Sequence, residues 1–539
     1  MNLKKLGSIY IFTFCFATSG QLMAQREDVK QWFHLDVKED TVVGVSTDKA
    51  YRELLKGKTP QPVIVAVIDG GVDVKHEDLR GVLWRNMKEV EGNGTDDDHN
   101  GYTDDVYGWN FIGNKNGRNV NHDTYEEVRI YKKLKPLYEG KDRASLSKKK
   151  QKEYDLYQAA KSSYEGNVEK NSSRLKMVNM MYEGGKALAD TLKKTFKVAT
   201  LDTAILANPP AGDSILSFQS KTLAANLKRF QLENTDKYLE TLKGYVDNFK
   251  GQVDSSLSLD VDARKIVGDD YENLKERFYG NSDVAGPEPR HGTHVAGIIG
   301  ADWSNSNESK GVANAAKIMS VRAVPNGDER DKDVANAIRY AVDNGAKIIN
   351  MSFGKSFSPE KKVVDKAIRY AESKDVLIVK AAGNSSSNND SIIHYPSVKD
   401  LKGKGFGNLI EVGAIYKTND SNLVAGFSNF GKGSVDVFAP GMQIYATLPG
   451  NSYGFLSGTS MASPVVAGVA AVLKSYFPEL TAVELKRIIL ASSVKYPIKV
   501  VRPDTGELVD FSTLSRTGGV VNVYEAVRLA SKGQKPLNQ

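Results

Sequence analysis

Helical and strand patterns alternate through the second half of this chain, and that alternation limits its possible folds more than any other feature. Helical spacing of apolar residues covers 334–344 and 359–373, and short apolar strands are predicted at 347–351 and 376–379. Helices set between short apolar strands imply a parallel sheet covered on both faces. Upstream, residues 63–68 are uninterrupted Val, Ile and Ala, as in a strand buried on both sides, and the run ends on Asp69, Gly70 and Gly71. The predicted class is therefore α/β, with a doubly wound, mostly parallel sheet. Ligands bind such sheets at the carboxyl ends of the strands, which directs attention to the residues that close them.

Three further stretches matter at those ends. Residues 378–384 form a strand that closes on Asn384, a side-chain amide donor suited to a developing oxyanion. His291-Gly292-Thr293-His294 opens a helix of small residues and supplies an imidazole. Gly458-Thr459-Ser460-Met461-Ala462-Ser463-Pro464 leads into an apolar run at 465–473, so its serines sit at a helix N-terminus, where free N–H groups favour negative charge. A lone serine there is ordinarily a cap, and Ser460 and Ser463 both fit that role. A serine nucleophile, in contrast, requires a base, an orienting carboxylate and an oxyanion donor, and the chain offers all of them.

Taken together, these stretches resemble the catalytic motifs of the subtilisin-like serine proteases (subtilases, peptidase family S8). The order Asp, His, Ser is the one known for subtilisin and is recognised as such. The resemblance covers residues 61–120 and 281–530, and it makes Asp69, His291 and Ser460 the catalytic triad and Asn384 the oxyanion donor. Asn350-Met351-Ser352-Phe353-Gly354 resembles the strand that lines the substrate cleft, and Val437-Phe438-Ala439-Pro440-Gly441 resembles the segment ahead of the serine. The implied activity is hydrolysis of peptide bonds by a serine endopeptidase through an acyl-enzyme, with polypeptide substrates. Substrate would add as a strand along Ser352, Phe353 and Gly354. Phe353 with Ala381, Ala382 and Gly383 suggests an apolar primary pocket. A rival reading is a non-catalytic peptide-binding or maturation protein on the same scaffold, but a binder has no physical need for Asp69, His291, Asn384 and Ser460 together. The pair His291 and His294 could be metal ligands, yet no third such ligand and no His-Glu-x-x-His motif accompany them. His294 is expected to hydrogen-bond within the core.

The formal charge of +7 comes from 73 basic and 66 acidic residues among 539, a solvated surface rather than a nucleic-acid face. No zinc finger, Walker loop or aromatic platform supports nucleic-acid binding. Lys4 and Lys5, an apolar run at 6–17 and Leu22-Met23-Ala24 predict a signal peptide over 1–24, hence export to a periplasm or the medium without a membrane span. Cys15, the only cysteine, falls inside that signal. Residues 25–60 are expected to form an N-terminal strap, too short for an inhibitory propeptide of the usual subtilase length, and 531–539 a tail.

Residues 93–105 hold Asp96, Asp98 and Asn100 at alternate positions, then Gly101, Asp104 and Asp105. Hard oxygens spaced in this way predict a structural calcium site at Asp96, Asp98, Asn100, Asp104 and Asp105, without the closing glutamate of an EF-hand. Between the two catalytic parts, 121–280 is rich in Lys, Glu, Tyr and Leu. Leu175, Val178, Met181, Leu188 and Leu192 fall at helical spacing, as do Leu223, Leu227, Phe230, Leu239, Leu242, Tyr245, Val246 and Phe249. A helical insertion is predicted, with its internal turn at 209–213.

Overall fold

The structure, a computed structural model, describes residues 30–209, 212–229, 232–304 and 309–533. The signal peptide expected at 1–24, Cys15, Phe230 and the middle of the turn at 209–213 lie outside the described residues.

Thirteen strands occur among the described residues: β1 Val63–Asp69, β2 Gly108–Asn110, β3 Ala316–Arg322, β4 Ile348–Met351, β5 Leu377–Ala381, β6 Leu409–Ile415, β7 Val437–Pro440, β8 Ile444–Leu448, β9 Ser452–Leu456, β10 Val494–Lys495, β11 Lys499–Val501, β12 Leu508–Asp510 and β13 Gly519–Val520. Nine form one sheet in the order β10-β13-β7-β6-β5-β4-β1-β3-β2, while β8 with β9 and β11 with β12 are separate hairpins. Within the large sheet only the β10–β13 edge pair is antiparallel. Side chains alternate between two cores: Val63, Val65 and Val67 enter one, and Ala66 and Ile68 the other. That division explains why β1 reads as a continuous apolar run. The chain leaves β1 for β2 and β3 on one side and returns as β4 on the other, so the switch point lies at the ends of β1 and β4.

The helices begin with α1 Val37–Asp40 and α2 Thr47–Glu53 in the N-terminal segment, where buried Trp32 donates to the Gln443 carbonyl at 2.9 Å. The expected insertion contains α3 Glu126–Tyr138, α4 Lys148–Phe196, α5 Thr203–Ala207, α6 Ser214–Arg229, α7 Thr235–Gly251 and α8 Arg264–Val267. The apolar positions 175–192 belong to one 49-residue helix, α4. Those from 223 to 249 do not form a single helix, because Asn234 accepts from Asp236 and Lys237 N–H and starts α7 afresh. The catalytic-type motifs then bring α9 Arg290–Gly300, α10 Asp331–Asp343, α11 Lys361–Ser373, α12 Thr459–Tyr476, α13 Ala482–Ala491 and α14 Val523–Gly533. Helix α12 is buried almost all round, beneath the sheet and against α9. Its small residues permit close packing: a Cβ on Gly468 would stand 2.6 Å from Cβ of Val312, in the segment between α9 and β3.

Candidate active site

Asp69 closes β1 at 3% exposure and His291 opens α9, so a residue from each comes to one strand end. Their approach depends on Gly292, where a Cβ would lie 2.2 Å from the Gly71 carbonyl oxygen and 3.1 Å from Asp69 Cβ. His291 Nδ1 lies 2.8 Å from Asp69 Oδ1 and 3.0 Å from Oδ2. An N–H on that nitrogen leaves Nε2 as the basic atom. Desolvation works to lower the His291 pKa, but the Asp69 charge and hydrogen bond outweigh it and the pKa is raised. The imidazole side chain is 44% exposed, so water tempers that shift. Arg322 at the end of β3 supports the same turn. It is buried and donates to the Gly70 carbonyl at 2.8 Å and to Asn110 Oδ1 at 3.1 Å.

Ser460 stands in the first turn of α12. Its hydroxyl donates to the Ser352 carbonyl at 3.0 Å, and Ser352 Oγ donates back to the Ser460 carbonyl at 2.8 Å. No hydrogen bond joins Ser460 to the His291 ring among the described residues; such contacts commonly tighten only when substrate binds. Ser463 donates to Asn350 Oδ1 at 2.7 Å, and Asn350 Nδ2 donates to Ser352 Oγ at 2.9 Å. This chain of bonds ties the helix that carries Ser460 to β4. Ser463, a possible cap in the sequence, is instead a buried anchor at 0% exposure.

Asn384 lies just past β5. Its Oδ1 accepts from Thr459 N at 2.8 Å and Thr459 Oγ1 at 2.9 Å, which fixes the amide orientation and leaves Nδ2 as an available donor beside Ser460. Gly383 has φ +108°, and a Cβ there would meet Asn429 Nδ2 at 2.6 Å. His294 is fully buried, with Nε2 3.0 Å from the Gly454 carbonyl, and burial pushes its pKa down to about 4. It is a neutral core residue.

A cavity of about 240 Å³ opens beside Ser460. Ser352, Phe353 and Gly354 line one wall, and Ala381, Ala382, Gly383 and Asn384 another. Lys380 and His394 also line it, and they correct the expectation of an apolar pocket. Lys380 was missed because it sits inside an apolar strand, where its pairing with Glu411 on β6 is not visible in sequence.

The acidic loop divides its oxygens. Carboxylate oxygens of Asp96, Asp98 and Glu89 lie within 4.8 Å of one another, a donor set that suits a hard cation such as calcium. Glu89, seven residues before Asp96, has no place in the alternating pattern that singled out the others. Asp104, at φ +56°, takes the N–H groups of Gly92, Asn93 and Gly94 at 2.9, 3.1 and 3.0 Å. Asp105 accepts from Asn86 at 2.8 Å, Asn100 at 3.1 Å and Tyr340 at 2.6 Å, and burial pushes its pKa up to about 6. Asn100 Oδ1 accepts from Tyr102 N–H at 2.8 Å. Asp104, Asp105 and Asn100 thus shape the loop around that cluster: Asn100 N–H donates to Asp96 and Asp98, Asp104 N–H to Glu89, and Asn86 Nδ2 to both Asp98 and Asp105.

The sequence model described as the Subtilase family (Peptidase_S8) matches residues 193–518, more than half of the chain. That span holds His291, Asn384 and Ser460, whereas Asp69 precedes it. Relatives include the thermophilic serine proteinase of Bacillus sp. (strain AK1), 40% identical over 40% of this chain and 48% of its own length. Thermitase of Thermoactinomyces vulgaris is 40% identical over 44% of this chain and 75% of its own length. Subtilisin E of Bacillus subtilis (strain 168) is 40% identical over 36% of this chain and 48% of its own length. The match thus spans about half the length of the first and third of these relatives.

Proposed function

We propose, from the premise that this chain belongs to the subtilase family, that it is a serine endopeptidase acting on polypeptides. The observation that carries the reading is the pairing of His291 Nδ1 with Asp69 across 222 residues, beside a helix-borne serine and a free amide donor. In this reading Ser460 Oγ leaves the Ser352 carbonyl and attacks a peptide carbonyl, while His291 Nε2 takes its proton. Asp69 holds the ring tautomer and stabilises the imidazolium. Asn384 Nδ2 and the backbone at the start of α12 receive the oxyanion. His291 then protonates the leaving amine, and water hydrolyses the acyl-enzyme by the same steps. Extended substrate would pair with Ser352–Gly354, within reach of the cavity walls at Ala382 and Gly383. Ser460→Ala should abolish casein hydrolysis while leaving the melting temperature nearly unchanged; wild-type rates in that variant would refute the assignment.

The acidic loop is proposed to hold structural calcium through Asp96, Asp98 and Glu89, linking the loop to the segment before β2. A metal bound only to the folded state adds about 2.7 kcal/mol at a hundred times its Kd. Chelation should therefore lower the melting temperature, and changing Asp96 and Asp98 to Asn should abolish the shift. A wild-type melting curve indifferent to calcium would remove the site. Among the described residues no helix is long and apolar enough to cross a membrane. Export is proposed from the basic and apolar pattern of the first 24 residues, and can be checked by fractionating cells that express the whole chain.

A further inference from the structure

The cavity beside Ser460 bears on substrate class, an inference that rests on the peptidase reading above. Two of its lining residues, Lys380 and His394, have no part in the proposed catalytic steps. Lys380 on β5 is fully buried and donates to Glu411 Oε2 at 2.9 Å. Glu411 Oε1 is taken by Asn389 at 2.6 Å, so both carboxylate oxygens are engaged. The ammonium has three donors and makes only this one hydrogen bond among the described residues. Lys380 reaches the cavity lining and Glu411 does not.

His394 stands across from Gly383, where a Cβ would lie 3.4 Å from its Cε1. Its ring has no hydrogen-bond partner among the described residues. Burial, assisted by the Lys380 charge, pushes its pKa down to about 4, so at neutral pH it offers one N–H and one acceptor. No Asp or Glu lines the cavity.

Three kinds of side chain can be compared in this space. An apolar one would offer no acceptor to the ammonium's remaining donors, which is unfavourable for a buried charge. A basic one would meet a like charge with no carboxylate facing it. An acidic one would gain a charge-assisted hydrogen bond from Lys380 and a second bond from His394. A buried Lys–Glu pair alone stabilises a fold little better than packed apolar residues would, so the fold itself does not account for its position at the cavity.

We propose that Lys380 and His394 make this cavity a subsite for an acidic side chain, so that the enzyme cleaves after glutamate or aspartate. The test uses the full chain and peptide anilides that differ only in the residue before the scissile bond: Glu, Gln, Phe or Lys. The expected kcat/KM for Glu exceeds that for Gln by about tenfold or more, the worth of one charge-assisted bond, with Phe and Lys lower still. Because Lys380→Met alone would strand Glu411, it is combined with Glu411→Gln; His394→Phe is a separate variant outside the ion pair. Each should bring the Glu-to-Gln ratio toward one. A wild-type preference for Phe over Glu overturns the proposal, as does an unchanged ratio in both variants. Labelling of Ser460 by a fluorophosphonate separates the two levels of failure. A labelled enzyme that prefers Phe contradicts the acidic subsite alone, whereas an unlabelled serine with no peptide cleaved contradicts the peptidase reading and the subsite with it.

Discussion

Glu329 is an acid held where its charge is poorly accommodated. It is 2% exposed, its Oε1 has no partner, and it adjoins Asp328 and Asp331. Burial raises its pKa, Lys355 opposes that shift and Asp328 adds to it; burial and Glu127 raise Asp328 likewise. A carboxyl with a raised folded-state pKa binds more protons folded than unfolded. Its contribution therefore favours the fold at low pH and is lost as pH rises from the ordinary carboxylate value, about 4.3, through the raised one. Calorimetry should find that Glu329→Gln gains stability relative to wild type as pH goes from 5 to 9; a difference independent of pH would contradict this. In sequence, Asp328-Glu329-Arg330-Asp331 reads as a solvated charge run. Only the packing of distant helices over it creates the strain. Asp69, His291, Asn384 and Ser460 were singled out for the opposite reason: each ends a strand, follows one closely or stands in the first turn of a helix within its own short motif.

The root of the helical segment is joined to the cleft by buried charge. Lys355 directly follows the cleft residues Ser352–Gly354, and its ammonium reaches Glu126 on α3 at 2.7 Å, the Glu329 carbonyl at 2.8 Å and Asp331 at 2.9 Å. Arg330 pairs with Asp123 at 2.7 Å. At the far end of the segment, Arg264 and Tyr279 each meet Asp333 on α10 at 2.6 Å. Removing one member of a buried network leaves its partners charged and unpaired, at a cost of about 3–5 kcal/mol. Lys355→Met should therefore lower stability by that order in denaturant titration, whereas Lys133→Met, which breaks only the exposed pair with Glu272, should change little. Equal effects would show that the network carries no such weight. Strands β1, β4 and β5 were predicted to within a few residues because each is a local apolar run, whereas β2, a three-residue Gly-Trp-Asn strand, carries no such run and was not. The network was not, since its partners lie up to 229 residues apart and charges alone do not announce burial.

At the scale of the molecule, α4 and α7 run side by side away from that root. Arg174 lies over the Phe249 ring at 5.8 Å, and a Cβ on Gly185 would touch Leu239 at 3.4 Å. The two helices therefore run antiparallel, and Leu192, Leu201, Leu206 and Leu227 form a separate core at their far end. The segment leaves and rejoins the chain between Asp69 and His291, so it is proposed to restrict access of folded proteins to Ser460. Excising all of it would strand Lys355, Arg330 and Asp333. Replacing 176–247 by a short Gly/Ser linker keeps the paired root and removes the tip. That variant should keep the melting transition of the sheet and raise kcat/KM for a folded protein far more than for a short peptide; unchanged rates for both would contradict restricted access.

The central claim, that Ser460 is the nucleophile activated by His291 and Asp69, is tested most directly by treating the whole chain with a fluorophosphonate and locating the adduct by peptide mass spectrometry. A single adduct at Ser460, abolished by His291→Ala in a variant that still melts cooperatively, is the predicted result. An unmodified Ser460, or labelling that persists at the wild-type rate without His291, would contradict it.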